Sequence, residues 1–95
     1  SILSELLRQE RMTIVSDFSV TEPKTKLVAD QLKSLGSTDA LIVVDEPDES
    51  LVLGARNIPN VEVTDLTGLN PYSLLRHENV IITATAATKL EGMYS

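Results

Sequence analysis

Acidic side chains follow three of the four strands predicted below, and these residues could do chemistry. Asp17 comes after the first strand, Asp45 and Glu46 after the second, and Asp65 after the third. The carboxyl ends of parallel strands lie at the same edge of a sheet, so these acids should lie together there. Open parallel sheets bind their ligands at this edge. Carboxylate oxygens are the ligands that Mg²⁺ prefers. One hypothesis is therefore a magnesium-dependent phosphoryl-transfer or phosphoacceptor domain that uses Asp17, Asp45, Glu46 and Asp65.

A structural role explains the same acids more simply, and we favour it. An acid behind a strand caps the next helix or favours the positive end of its dipole, and Asp48 is placed to do so. A phosphoryl-transfer site would also need a positioned lysine or a glycine-rich phosphate cradle. The four glycines are scattered and form no phosphate-binding motif. We therefore expect no catalytic residue, no metal site and no cofactor.

The other candidates for catalysis carry less weight. His77 is the only histidine and cysteine is absent, so a transition-metal site would have to use carboxylates. A histidine at a helix end, next to Arg76, is more often a partner of the helix dipole than a base or a ligand. No serine lies in a Gly-x-Ser-x-Gly nucleophile elbow. The sequence thus predicts a protein that is not an enzyme.

The basic residues suggest phosphate binding instead. Lys24 and Lys26 open a predicted helix, where positive charge opposes the local dipole. A phosphate at the helix start would resolve this conflict, because free N–H groups and both ammonium groups would converge on it. Two solvated lysines are the alternative. Arg8 and Arg11 flank the end of the first predicted helix and Arg56 closes the third, where dipole complementation is an alternative explanation.

The elements that would position these residues alternate between helix and strand. Short β-branched or apolar runs predict strands at 12–16, 40–44, 61–64 and 80–83. Helical periodicity and capping signals predict helices at 1–10, 23–35, 48–56, 70–76 and 85–93. Pro23 suits a first turn, and Gly36 suits a left-handed C-terminal position. Because hairpin signals are missing, this order predicts an α/β domain with a parallel sheet and helices on both faces.

The predicted core combines one apolar set from the strands with one from the helices. The strand set is Ile14, Val15, Ile42, Val43, Val63, Ile81 and Ile82. The helix set is Leu6, Val28, Leu32, Leu35, Leu51 and Leu75.

The composition is that of an ordinary globular domain. Of the 95 residues, 42% are apolar and 23% are charged, which suffices for one modest core. Because cysteine is absent, disulfides and thiolate metal sites are excluded. No apolar run approaches the roughly 18 residues of a membrane span, and no signal peptide is visible. We expect a cytoplasmic protein without a membrane partner.

One domain, without repeat or linker, is expected to cover residues 1–95. The chain starts at Ser1 without an initiator Met, and Leu3, Leu6 and Leu7 already follow a helical apolar stripe. This pattern indicates that the sequence begins at a helix of a longer protein, so we interpret the chain as a fragment.

The net charge of −6 limits what the chain can bind alone. Fourteen acids stand against eight Lys and Arg residues, whereas a domain that grips nucleic acid by itself normally carries a basic patch. A strong hold on RNA would have to come from another part of the protein. The acidic surface also suits a protein-interaction module that meets a basic partner.

Five segments, in order, resemble a known family. They lie at 1–10 (SILSELLRQE), 22–26 (EPKTK), 45–51 (DEPDESL), 55–61 (ARNIPNV), and 68–70 with 72–75 (GLN, YSLL). They are similar to the C-terminal part of the globular domain of bacterial ribosomal protein four of the large subunit. The first resembles the helix that re-enters that domain, the second its Pro-Lys-Thr-Lys helix start, and the third its central acidic turn.

The resemblance implies a three-layer α/β/α fold with a four-stranded parallel sheet in the order 1-4-2-3. It implies a cytoplasmic constituent of the ribosome that binds large-subunit rRNA early in assembly and contacts neighbouring ribosomal proteins. Family members have a long basic loop that reaches the peptide exit tunnel. Some relatives also repress their own operon through the mRNA leader and have been linked to ribonuclease E. The family needs no catalytic residue or cofactor.

The resemblance also assigns rRNA contacts to particular residues. They are carried over to Lys24, Lys26, Arg8, Arg11 and Arg56. The family's N-terminal part and tunnel loop, which hold most of its basic residues, are missing from this sequence. The resemblance thus implies that the net charge of −6 belongs to the acidic part of a protein that is basic as a whole.

Overall fold

The described structure, a computed structural model, covers residues 12–69 and 71–94 and alternates strands with helices. The strands are β1 (Met12–Val15), β2 (Ala40–Val43), β3 (Val61–Thr64) and β4 (Asn79–Thr83). The helices are α1 (Thr25–Ser34), α2 (Glu49–Ala55), α3 (Pro71–Arg76) and α4 (Ala84–Tyr94). The helix predicted over residues 1–10, together with Leu6, Arg8 and Arg11, lies outside the described residues.

The four strands form one parallel sheet in the order β1-β4-β2-β3. Both the parallel pairing and the strand order confirm the expected fold. Ile42 of β2 is aligned with Ile81 of β4 on one side and with Val63 of β3 on the other. β2 is buried at every position, which explains why its sequence is apolar throughout instead of alternating.

Helices cover both faces of the sheet, so the fold has the three layers that were predicted. The cluster under α1 and α2 contains Phe18, Val20, Val28, Leu32, Ala40, Ile42, Val44, Leu51, Ala55 and Ile81. The cluster under α3 and α4 contains Met12, Leu41, Val43, Leu66, Leu69, Leu74, Val80, Ile82, Ala86, Ala87 and Leu90. Successive residues of β2 enter opposite clusters because strand side chains alternate between the two faces.

Three predicted core residues are exposed. Ile14 is 52% exposed because β1 is an edge strand with a neighbour on one side only. Leu35 is 38% exposed; it is the C-cap residue of α1, where the chain leaves the helix toward Gly36. Leu75 is 59% exposed because Leu74 occupies the buried side of the short helix α3, and the next position is rotated by about 100°.

The other predicted core positions within the described residues are buried or half-buried. Val15 and Val63 are half-buried and pack against the cluster under α1 and α2. The buried set is Val28, Leu32, Ile42, Val43, Leu51, Ile81 and Ile82.

Local signals in the sequence set two of the described helix ends, at Asp48 and at Gly36. Asp48 is the N-cap of α2 and accepts a hydrogen bond from the Ser50 N–H at 3.3 Å, as predicted. Gly36 has a φ of 73°, which confirms the left-handed turn after α1. The prediction for Pro23 was wrong: α1 begins at Thr25 with Lys24 as its N-cap. The cause is the extended conformation of Lys24, whose N–H donates to the Glu22 carbonyl at 2.8 Å.

Gly54 lets α2 pack closely against the start of α1. A Cβ at this position would lie 2.9 Å from Val28 Cγ2 and 3.0 Å from the Lys24 carbonyl oxygen. Both separations are shorter than an ordinary van der Waals contact, and one of the atoms belongs to the backbone. A side chain at residue 54 would therefore push the two helices apart.

We expect Gly54→Ala to lower the free energy of unfolding by about 1–3 kcal/mol, the usual effect of overpacking. Gly92→Ala is the matched control, because a Cβ at this helical position meets no atom within 4 Å. The control should raise the free energy of unfolding by about 0.5–1 kcal/mol, since alanine favours helix over glycine. Urea unfolding of both variants checks the pair, and equal effects would show that the Gly54 contact is unimportant.

Candidate nucleic-acid interface

The start of α1 carries the two lysines that the sequence singled out. Lys24 is the N-cap, its side chain makes no capping hydrogen bond, and the first turn contains no acid. The Lys24 ammonium forms an exposed ion pair with Glu22, with 2.9 Å between Nζ and Oε2. Lys26 is exposed in the first helical turn. The helix start is thus cationic, with the charge of Lys24 partly offset by its neighbour.

Arg56 lies at the end of the helix that packs against this helix start. It is the exposed C-cap residue of α2, and its N–H donates to the Val52 carbonyl at 3.1 Å. Two residues earlier, Gly54 brings the backbone of α2 against the carbonyl of Lys24. The structure therefore places Lys24, Lys26 and Arg56 on adjoining helix ends, which we call the α1–α2 basic edge.

The acids at the strand ends interact individually with nearby groups. Asp45 accepts hydrogen bonds on both carboxylate oxygens from the Lys89 ammonium, at 2.9 and 2.8 Å. That hydrogen bonding raises the pKa of Lys89, helped by the charges of Asp45 and Glu46 and opposed by desolvation. Asp17 accepts a hydrogen bond from the Ser19 hydroxyl at 3.0 Å. Asp45 and Asp17 therefore already have protein partners.

Asp65 closes the turn that follows β3. One of its carboxylate oxygens accepts hydrogen bonds from the Gly68 N–H and the Thr67 hydroxyl, each at 2.8 Å. These hydrogen bonds, that of Gly68 first, lower the pKa of Asp65 below its ordinary value. A Cβ on Gly68 would lie 2.9 Å from the Thr64 hydroxyl oxygen, so this turn favours glycine.

No three of the described His, Asp and Glu residues are grouped so that they could hold a metal ion. Asp48 caps the next helix as predicted, whereas Asp17, Asp45 and Asp65 instead bind a nearby hydroxyl, the Lys89 ammonium and a turn. This arrangement favours a structural role of these acids over magnesium chemistry.

A magnesium titration tests this interpretation. We expect no saturable binding of Mg²⁺ by calorimetry, because Lys89 and the residue 65–68 turn already satisfy the carboxylates that a metal would need. Asp45→Asn is the control and should give the same trace as the unaltered chain. Saturable binding that Asp45→Asn abolishes would contradict the structural explanation.

His77 has a role that sequence reasoning missed. It is 4% exposed, and its Nδ1 lies 2.8 Å from Asp39 Oδ1 while its Nε2 lies 3.2 Å from Glu62 Oε2. The imidazolium form can donate to both carboxylates at once, whereas the neutral ring can donate to only one. His77 thus connects the residue before β2 with β3 at the amino edge of the sheet. The prediction of a helix-dipole partner did not include this contact, because both carboxylates lie far from His77 in sequence.

We expect His77→Leu to lower the free energy of unfolding by about 1–3 kcal/mol, the scale for losing hydrogen bonds to charged groups. Leucine keeps much of the buried volume but leaves the Asp39 and Glu62 carboxylates without the ring between them. Arg76→Leu, at the exposed neighbouring position, is the control and should change stability by less than about 0.5 kcal/mol. A His77→Leu variant as stable as this control in urea unfolding would contradict the bridging role.

Taken together, the site and fold define a class of protein. The described residues form a three-layer α/β domain in which Asp45 and Asp65 make internal contacts and Lys24, Lys26 and Arg56 lie exposed at helix ends. This arrangement suits a binding or scaffolding domain.

Comparison with known proteins gives the family. Residues 1–93 match the profile of the ribosomal protein L4/L1 family, and the chain belongs to that family. The family comprises structural ribosomal proteins and not enzymes, which confirms both the resemblance and the prediction of a non-enzyme.

Two curated relatives show the extent of the match. The large ribosomal subunit protein uL4 of Azotobacter vinelandii is 50% identical over 93 residues, which cover 98% of this chain and 46% of the relative. The corresponding protein of Stutzerimonas stutzeri is 48% identical over 93 residues, with the same coverage. The chain thus spans about half the length of these relatives. None of the helices within 12–69 and 71–94 is long and apolar enough to cross a membrane.

Proposed function

We propose that this chain is part of a structural protein of the large ribosomal subunit that binds and scaffolds large-subunit rRNA. The observation that carries the proposal is the 50% identity to a large-subunit protein over 98% of the chain. A protein with this role works in the cytoplasm, on the ribosome, beside other ribosomal proteins. It needs no cofactor, and the strand-end acids maintain its fold.

Within this role, the α1–α2 basic edge is the proposed rRNA contact of the chain. Lys24 and Lys26 stand at the start of a ten-residue helix, where backbone N–H groups and the positive dipole end favour phosphate. Arg56 lies on the adjoining helix end. With a net charge of −6, the chain has few cations to spare, so phosphate contact should be confined to such local groups.

Further parts of the proposal follow from the family resemblance. Arg8 and Arg11 would add rRNA contacts. The chain, taken as one α/β domain, would act together with an N-terminal part and a basic tunnel loop. Repression of its own operon through the mRNA leader and an association with ribonuclease E are proposed regulatory activities.

Co-sedimentation tests the ribosomal role. The protein in its natural length, expressed with a tag in its own host, should travel with large subunits through a sucrose gradient in high salt. A protein left at the top of the gradient would contradict the proposal. A tagged cytosolic enzyme, run in the same gradient, controls for trapping.

A pair of charge reversals on α1 tests the rRNA contact. We expect Lys26→Glu to weaken binding of the natural-length protein to protein-free large-subunit rRNA by about tenfold. The slope of the logarithm of the binding constant against the logarithm of salt concentration should fall in magnitude by about one, because one fewer cation is released from the RNA. Lys33→Glu makes the same charge change in the last turn of the same helix and should have a smaller effect. Filter binding at several salt concentrations measures both.

A comparison of the two variants also separates an effect on RNA binding from an effect on helix stability. An acid in the first helical turn stabilises the helix, whereas an acid in the last turn opposes the dipole. A loss of binding by Lys26→Glu therefore cannot be attributed to a weakened helix. Equal losses for the two variants would show that the start of α1 is not a specific contact.

A further inference from the structure

The outer side of α3 presents an apolar and aromatic surface. Tyr72 is 73% exposed, and Leu75, at the next turn, is exposed as well. Arg76 is exposed and follows Tyr72 by four residues, so all three side chains lie on one side of the helix. The other large exposed apolar residues of the described chain are Ile14 in β1, Leu35 at the C-cap of α1 and Val52 in α2. We call Tyr72, Leu75 and Arg76 the α3 outer face.

The fold holds this face in position. Leu74 is buried in the cluster under α3 and α4. His77, directly after the helix, is fixed between the carboxylates of Asp39 and Glu62. Because α3 is anchored at both of these points, a partner would meet a preorganised surface and would lose less conformational entropy on binding.

The residue types and the surrounding charge indicate the kind of partner. Tyrosine and arginine are enriched at the energetic centres of protein–protein interfaces. At the C-terminal end of α3, the carboxylates of Asp39 and Glu62 are half-exposed, and Glu78 is exposed. Phosphates of RNA would meet these acids, in a chain whose net charge is −6. Because Asp39, Glu62 and Glu78 outnumber Arg76, a cationic protein segment complements the local charge, and an apolar side chain of that segment complements Tyr72 and Leu75.

We propose that the α3 outer face docks a lysine- and arginine-rich protein segment that also presents an apolar side chain. The inference rests on the proposed ribosomal function for the source of the partner, namely another protein of the large subunit. The face lies on the opposite layer of the sheet from the α1–α2 basic edge. The chain would thus contact RNA with one layer and protein with the other.

Site-specific photocrosslinking tests the proposal. The natural-length protein, with benzoylphenylalanine replacing Leu75, is irradiated with total protein extracted from salt-washed large subunits, and separately with protein-free large-subunit rRNA. The matched control carries the same crosslinker at Val52, which is also exposed and lies on α2 in the opposite layer. Adducts are identified by mass spectrometry.

We expect a saturable adduct with a basic segment of one subunit protein at position 75 and not at position 52. Adding the substitution Tyr72→Ser should reduce the yield of that adduct by about tenfold, because it removes an aromatic side chain from the centre of the interface. An rRNA adduct at position 75, equal labelling at both positions, or no saturable adduct would each overturn the proposal. Co-sedimentation is a separate readout, so a protein that leaves the ribosome but keeps this adduct would refute the ribosomal role alone.

Discussion

Burial of the central strand on both faces is the constraint on which the rest of this structure depends. β2 lies between β4 and β3 and exposes essentially none of its side chains, so apolar cover is needed above and below the sheet. α1 and α2 supply that cover on one face, and α3 and α4 supply it on the other. The outer strand β1 does not share this burial, which is why Ile14 remains accessible.

Four acidic residues of the described chain serve this architecture. Asp45 holds α4 to the end of β2 through Lys89, and Asp65 closes the turn after β3. Asp39 and Glu62 hold the buried ring of His77. Each contact places a carboxylate beside a donor group instead of beside a second carboxylate. The negative charge of these residues is therefore spread over several local interactions, and only Asp39 and Glu62 meet at one residue, at the C-terminal end of α3.

Two exposed surfaces remain, and their chemistry differs. The α1–α2 basic edge offers two ammonium groups at a helix start and a guanidinium group on the adjoining helix end, which suits phosphate. The α3 outer face offers a phenol ring, an aliphatic side chain and one guanidinium near carboxylates, which suits a protein. Membership of a ribosomal protein family makes both kinds of neighbour available to one small domain. Because the helices that carry them cover opposite faces of the sheet, the two surfaces need not compete.

The sequence alone determined the features that depend on neighbouring residues. The apolar run of β2, the cap at Asp48 and the left-handed Gly36 could be predicted because period, side-chain capping and φ preference act within a few residues. The tertiary structure decided the rest: the burial of His77 between carboxylates 38 and 15 residues away, and the exposure of Leu75. Apolar character shows that a side chain favours burial, but only the packing of distant elements decides which such side chains are covered.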